Sequence, residues 1–372
     1  MSPTPPTILI IGPTPPPYHG VAVSTRLILD SQALCQFRLL HLDTADRRGI
    51  ENIGRFELGN IALGMWHAAR FLSMLARHKP ALIYLPISQG PGFLRDLLFL
   101  LPSRWLGIST VIHLRGSEFR AFYTNSSRNM QALIRYSLAH VRRVIVLGEG
   151  LRSLFEGLVP LDQVVIVPNG TPDFAVGLLP FDRPAGGVRG LFLSNLRIRK
   201  GLFVVLEAAI ESLRRFPELE FVLAGEWQSN AEREEAMAIA QDWPATNRLR
   251  FCGIVVGDEK HRLLLSCDFL VFPPIEPEGH PRVVLESMAA GLPIITTPQG
   301  AIVETVVEGE TGFMVQPGNA RAVAEKIAYL IEHPEIRQAM GRAARERFLK
   351  HYTAEASASR LANVFVQVLV EA

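Results

Sequence analysis

Cysteine is scarce in this chain. The three cysteines, Cys35, Cys252 and Cys267, are odd in number and far apart. They form no Cys-x-x-Cys pair and no metal-ligand spacing, which excludes a disulfide framework and leaves apolar thiols in a reducing cytosol as the expectation. In that compartment the sequons at Asn125 and Asn169 carry no weight. Long hydrophobic runs are also missing. The most apolar short stretch, Leu97–Leu101, lies beside Arg95, Asp96 and Arg104 and is far too short to span a bilayer. The opening MSPTPPTILIIG has no basic start before a long apolar stretch, so no signal peptide is expected. There is no Asp-x-Asp, no His-Glu-x-x-His and no Cys/His cluster, so no metal site is read. The loop after the first apolar run is not Gly-x-Gly-x-x-Gly, which leaves a dinucleotide site unsupported.

What is present is enough apolar material for two cores. The 372 residues are 48% hydrophobic and 20% charged, a globular balance too long for one ordinary α/β core. Short β-branched runs alternate with helical patterns. Thr7–Ile11, Phe37–Leu42, Leu82–Leu85, Thr110–Leu114 and Val144–Leu147 read as strands buried on both faces, because their apolar character is continuous rather than alternating. Helical patterns such as Ile61–Arg77 and Asn129–Ala139 lie between them, which implies a parallel, doubly wound sheet. The pattern stops at the turn Asn169-Gly170-Thr171-Pro172 and restarts after Gly187. Five further strands follow, from Leu191–Leu193 to Ile294–Thr296, with helices including Leu202–Arg215, Asp258–Leu265 and Arg282–Ala290. The domain reading is therefore 1–170, a linker over 171–189, a second domain over 190–352, and a terminal helix within 353–372 that packs back on the first domain.

Charge divides unevenly. Residues 1–150 hold sixteen Lys or Arg against eight Asp or Glu, a net +8, and the remainder is −6. The front half is thus suited to an anionic partner. Its basic side chains Arg135, Arg142, Arg143, Arg95 and Arg104 lie near apolar ones in Phe93–Leu101, which favours an anionic membrane surface over nucleic acid.

Ligands of open parallel sheets bind at the carboxyl ends of strands, and four such places stand out. After the strand ending near Phe272, a loop carries Glu278-Gly279-His280-Pro281-Arg282, and a helix then carries Glu286. Backbone N–H groups of Gly279, His280 and Arg282 suit an anion, and two carboxylates suit the hydroxyls of a sugar. Glu286 could instead pair with Arg282 one turn away. The second place is Ser194-Asn195-Leu-Arg197-Ile-Arg199-Lys200-Gly201, the third His113-Leu-Arg115-Gly116-Ser-Glu118, and the fourth Tyr18-His19-Gly20.

Glu278, seven residues, Glu286, then Met-Ala-Ala-Gly-Leu-Pro-Ile resembles the signature of family 4 glycosyltransferases, retaining enzymes of the GT-B fold. The resemblance implies two Rossmann-like domains facing each other across a cleft. It implies that Glu286 holds the donor ribose, Glu278 the donor sugar and Lys200 the diphosphate, aided by the Gly279–Arg282 backbone, and that His113 meets the sugar. Asn195 stands where the family has an Arg, so Arg197 or Arg199 would substitute. His19-Gly20 keeps only the second glycine of the family's pair. Thr297-Pro-Gln-Gly300-Ala301 through Glu304 resembles a later family segment, with Ala301 in place of a glycine. The implied activity is metal-independent hexosyl transfer, with retention, from a UDP- or GDP-type sugar to an acceptor hydroxyl. No cofactor is implied. Further expectations are a lipid-linked saccharide acceptor in bacterial surface polysaccharide or glycolipid assembly, no nucleic acid partner, and a cytoplasmic enzyme peripheral on the inner face of the membrane. A nucleotide-sugar epimerase of the same architecture and a non-catalytic nucleotide-sugar-binding protein are the alternatives.

Overall fold

The structure is a computed structural model and describes residues 5–47, 58–177, 187–241 and 247–371. In the first domain the chain runs β1 (Thr7–Gly12), α1 (Gly20–Leu29), β2 (Arg38–Asp43), α2 (Leu58–His78), β3 (Leu82–Ile87), α3 (Phe93–Trp105) and β4 (Ser109–Leu114). It continues through α4 (Phe119–Asn125), α5 (Arg128–Leu138), β5 (Val141–Val146) and β6 (Val164–Ile166). The strands pair in parallel in the order β2-β1-β3-β4-β5-β6. Every residue of β3 and β4 is buried, as strands covered on both faces should be.

The second domain repeats the plan. It runs β7 (Val188–Leu193), α6 (Leu202–Arg215), β8 (Leu219–Ala224), α7 (Asn230–Gln241), β9 (Leu249–Gly253) and α8 (Gly257–Leu265). Then come β10 (Phe269–Phe272), α9 (Arg282–Ala289), β11 (Ile294–Thr296), α10 (Ile302–Thr305), β12 (Gly312–Met314), α11 (Ala320–Glu332) and α12 (Pro334–His351). Its parallel sheet has the order β12-β11-β10-β7-β8-β9. These are two Rossmann-like α/β domains.

In each sheet the strand order reverses once, between β1 and β3 in the first and between β7 and β10 in the second. At such a point the loops leaving two adjacent strands turn to opposite faces and open a crevice. Gly20 follows β1, His113 is on β4 beside β3, Lys200 follows β7 and Glu278 follows β10.

The last helix, α13 (Ala354–Val370), belongs with the first domain, and the second unit runs from Thr171 to Thr353. Its stripe Leu361, Val364, Phe365 and Val368 packs on Ile8, Ile10, Tyr84, Val111 and Ile145 of the sheet. The Phe365 ring lies 5.7 Å from that of Tyr84 and 6.0 Å from that of Phe37, both edge-on. Ser357 Oγ donates to the Pro168 carbonyl at 2.7 Å, and Arg143 pairs with Glu371.

The linker read over 171–189 is shorter at both ends. Thr171 N donates to Tyr352 O, and Asp173 accepts both Nη atoms of Arg345 at 2.7 Å, so this segment is fixed to the second domain. At the other end β7 opens at Val188; residues 178–186 lie outside the described ones. The run Leu97–Leu101 falls within α3, whose Leu97, Phe99 and Leu100 are core residues, because their spacing turns them inward on a helix. β12 was not legible as a strand: it has three residues, one of them Gly312, whose Cβ would sit 2.0 Å from the Ile294 carbonyl oxygen.

Phe365→Ala should destabilise the first domain by about 3–5 kcal/mol, the usual cost of emptying a fully buried aromatic site. Urea unfolding followed by circular dichroism should show an earlier first-domain transition, with the second domain's transition unmoved.

Candidate functional site

In the second domain, the loops after β7 and β10 are joined at the backbone. Lys200 closes a short 3-10 turn, and Gly201 follows with φ +84°. A Cβ at Gly201 would sit 2.1 Å from the Pro273 carbonyl oxygen, so only glycine lets the turn lie against the chain leaving β10. Ile275 N donates to Arg199 O at 3.0 Å across the same seam. Lys200 Nζ thereby meets Glu278 Oε1 in a largely buried ion pair. The Glu278 loop is held from its other side by Gly300, with φ +52°, where a Cβ would fall 1.8 Å from the Glu278 carbonyl oxygen. Ala301 N donates to Gly279 O at 2.8 Å.

The loop leads into α9. Pro281 is its N-cap rather than its first residue, and Arg282 opens the helix. Glu286 lies in the second turn and is only 6% exposed. It does not pair with Arg282. Lys260 Nζ of α8 reaches Glu286 Oε1 at 2.7 Å, while Arg282 Nη2 turns to Thr171 Oγ1 at 3.4 Å. Lys260 was not read from the sequence, since one lysine on an amphipathic helix carries no mark of an inward partner. His280 is buried, with Nε2 2.9 Å from Thr305 Oγ1 and its ring edge-on to Tyr352. Burial, with Arg282 adding to it, lowers its pKa to about 3, so the ring is neutral.

Asn195 is exposed. Of the two arginines that could replace the missing one, Arg199 pairs with Glu276 at 3.1 Å. Arg197 is half-buried, touches Gln228 Oε1 at 3.4 Å, and keeps a buried Nε without a hydrogen bond among the described residues. Burial and the neighbouring Arg199 lower its pKa, and Glu278, Glu232 and Glu276 oppose them. Arg197 therefore stands in the field of the Glu278 carboxylate.

In the first domain, His113 is buried near the end of β4. Arg115 Nη2 donates to Tyr84 Oη at 3.0 Å, which leaves the tyrosine hydrogen for His113 Nδ1 at 2.8 Å. Burial, then the Arg115 charge, hold the His113 pKa well below its ordinary value. A neutral ring accepting at Nδ1 carries its proton on Nε2, and Nε2 has no protein partner among the described residues. Arg115 Nη1 donates to Asn169 Oδ1 at 2.6 Å. His113, Arg115 and Asn169 line one crevice with Ser24 and Ser357. Glu118 is not part of that network. Its backbone and carboxylate both engage Gln89, at 2.9 and 3.3 Å.

Gly20 opens α1, and His19 caps it, accepting from Ala22 N at 3.4 Å. The histidine in place of a first glycine thus does the work of a polar N-cap. Space around Gly20 is open. Across the strand-order reversal, Asp96 is buried and accepts from Ser88 N at 2.6 Å and Arg95 at 3.3 Å. Burial raises its pKa. His67 of α2 is buried, its Nδ1 has no hydrogen bond among the described residues, and burial and then Arg95 lower its pKa. Neither residue is marked by a motif; what they share is the charge of Arg95.

The pKa of His280 ties stability to acid. The unfolded chain takes up a proton as pH falls through 6.5, whereas the folded ring resists until about 3. The stability it carries is therefore complete above 6.5 and lost as pH falls from there toward 3. Between neutrality and about pH 5 the second domain should lose roughly 2 kcal/mol at this site. In His280→Gln the difference in urea-unfolding free energy between the two pH values should shrink by about that amount.

Residues 185–347 match the family "Glycosyl transferases group 1". The chain is 27% identical over 241 residues to a phosphatidyl-myo-inositol mannosyltransferase of Mycolicibacterium smegmatis, covering 62% of this chain and 60% of the relative. It covers 49% of a Mycobacterium tuberculosis glycogen synthase, also at 27% identity. The chain thus spans between half and three fifths of these relatives. Among solved structures, Anabaena HepE in complex with UDP superposes with a TM-score of 0.75 at 17% identity, over 97% of this chain and 100% of that one. A Rickettsia africae glycosyltransferase gives 0.77 at 17% identity, over 99% and 100%. At that identity the likeness establishes the fold. The signature at Glu278–Glu286 and the Lys200 loop both fall within residues 185–347, so it is the second domain that is similar to the glycosyl transferases group 1 family.

Proposed function

We propose that the protein transfers a sugar from a UDP- or GDP-type nucleoside diphosphate to an acceptor hydroxyl, with retention at the anomeric carbon. The observation that carries this is the meeting of Lys200 and Glu278 at the strand-order reversal, with Glu286 buried one and a half turns into the adjoining helix. Glu286, fixed by Lys260, accepts from the ribose hydroxyls. Lys200 and the first amides of α9 take the diphosphate, and Glu278 turns to the hydroxyls of the sugar. Arg197 supplies the second positive charge that Asn195 lacks. Gly279, His280 and Arg282 act through the backbone, and His113 offers a neutral Nε2–H to a ligand of the first domain.

In the transfer, the bond from the anomeric carbon to the β-phosphate oxygen breaks as the acceptor oxygen bonds to that carbon. The acceptor proton passes to the departing diphosphate. Negative charge grows on that leaving group, where a fixed Lys200 and helix amides stabilise it without a metal or cofactor. Retention rests on the family resemblance.

The acceptor we propose is a lipid-linked saccharide of surface polysaccharide or glycolipid assembly, met at the inner face of the cytoplasmic membrane. In support, the name of the mannosyltransferase relative specifies phosphatidyl-myo-inositol, and the first domain is basic. No helix among the described residues is long and apolar enough to cross a membrane. Contact with the bilayer would then be peripheral. Asn195 keeps a second reading open, a binding protein without turnover; an epimerase would turn over without acceptor.

Calorimetry with UDP and GDP should show one of them bound, and Glu286→Gln should weaken that binding about tenfold to a hundredfold, the worth of hydrogen bonds to a charged group. Lys200→Met should remain folded, though less stable because the Glu278 carboxylate is left unpaired, and lower turnover by roughly 10²–10³. Turnover should require acceptor and survive EDTA. Full activity of Lys200→Met, or loss in EDTA restored by Mg²⁺, would contradict the scheme.

A further inference from the structure

We propose that the outer faces of α2 and α3 form one docking surface for an anionic lipid bilayer. This deepens the membrane-acceptor reading above and rests on it for the purpose of docking, not for the binding itself. A helix on a globular surface buries one stripe and turns a charged one outward. These two helices do not. On α2 the inward stripe is Gly64, His67, Phe71 and Leu75, at the expected spacing. The opposite stripe, Met65, Ala69, Leu72 and Ala76, with Trp66 beside it, is apolar too and exposed, Met65 by 66% and Trp66 by 52%.

On α3 the core takes Phe93, Asp96, Leu97 and Leu100. Leu94, Leu98, Leu101 and Trp105 then form an outward stripe at the same helical spacing, with Trp105 68% exposed. The helix divides the apolar residues of Phe93–Leu101: Phe93, Leu97, Phe99 and Leu100 face the core, and Leu94, Leu98 and the edge of Leu101 face out. The two helices adjoin: Gly64, at the inward edge of α2, lies against Leu98 of the α3 outward stripe, where a Cβ would touch Cδ1 at 3.6 Å.

Charge selects the occupant. From residue 58 to 140 the chain has nine Lys or Arg and two acids. Of the acids, Asp96 is fully buried and Glu118 is held by Gln89. The basic groups rim the apolar stripes: Arg70 lies 4.7 Å over the Trp66 ring, Arg104 4.1 Å over Tyr136, and Arg77, Lys79 and Arg95 are exposed. Trp105 Nε1 donates to Tyr136 Oη at 3.4 Å. An apolar centre, an aromatic margin and a purely basic rim match acyl chains, the interfacial layer and anionic headgroups in turn. A second copy of this chain would bring the same basic rim against itself. Nucleic acid would want positive charge across the centre, where this face is apolar.

The test is co-sedimentation of the full chain with vesicles of phosphatidylcholine alone or mixed with phosphatidylglycerol. Binding should appear with phosphatidylglycerol and fall with added salt. Arg70→Gln with Arg77→Gln should weaken it about twenty-fivefold, at about fivefold for each charge near the surface. Trp66→Ser with Leu98→Ser should weaken it by at least about tenfold. All four positions are outside the donor site, so the thermal shift given by UDP or GDP should persist in both double variants. Vesicle binding unchanged in both would overturn the proposal. So would concentration-dependent self-association abolished by Leu98→Ser, which would assign the face to a second copy. A wild-type chain that binds vesicles but shows no nucleotide shift would instead remove the donor reading and leave the docking surface standing.

Discussion

Strand β7 lies between β10 and β8, and the chain leaves it first toward one side and then toward the other. The proposed donor site of the second domain follows from that reversal. Two loops from adjacent parallel strands must diverge there, and the gap they leave is lined by backbone ends and helix starts. Gly201 presses the β7 loop against the chain leaving β10, and Gly300, after β11, presses on the Glu278 loop from its other side, at distances no side chain would permit. That contact places a lysine from one loop on a glutamate from the other, although the two are 78 residues apart. A buried ion pair of this kind adds little to stability by itself, but removing one member would leave a charge unpaired. Its value is positional: an ammonium and a carboxylate from separate loops are held side by side, as the proposed binding of a phosphate and a sugar hydroxyl requires.

The first domain uses the same reversal with different chemistry. Its crevice is lined by neutral groups and one cation. His113 is kept neutral by burial, and the Arg115 guanidinium donates to the neutral Tyr84 and Asn169. The basic rim of α2 and α3 lies on the outside. The unit built of residues up to 170 and from 354 onward is +6, whereas that from 171 to 353 is −4. The acidic unit carries the proposed anion site at Lys200 and α9; the basic one carries apolar outer stripes. Opposite charge on the two units is consistent with a division of labour between a soluble anionic ligand and an extended anionic surface.

Much of the fold was legible because buried parallel strands are continuous apolar runs and amphipathic helices keep their period. Leu202–Arg215, Ala320–Glu332 and Ala354–Val370 have the ends that their caps and periodicity indicate. The short β12 was not legible, since three residues carry no period. The site was legible where chemistry is local: Glu278 and Glu286 lie in one motif, and Lys200-Gly201 forms one turn. Partners supplied by sheet order were not. Lys260 on Glu286, Tyr84 on His113 and Ser88 on Asp96 each join separate elements, and no spacing within one segment encodes them. The expected Glu286–Arg282 pair shows the limit from the other side. Their separation by four residues allowed a bridge, but Arg282 turns toward Thr171 and Lys260 takes the carboxylate.

The most direct test is a crystal structure of the full chain with UDP or GDP bound, whichever raises its melting temperature. The account predicts the diphosphate against Lys200 Nζ and the amides that open α9, with both ribose hydroxyls on Glu286. A nucleotide seated at the first domain's crevice, or one bound in the second domain without contact to Lys200 and Glu286, would contradict it.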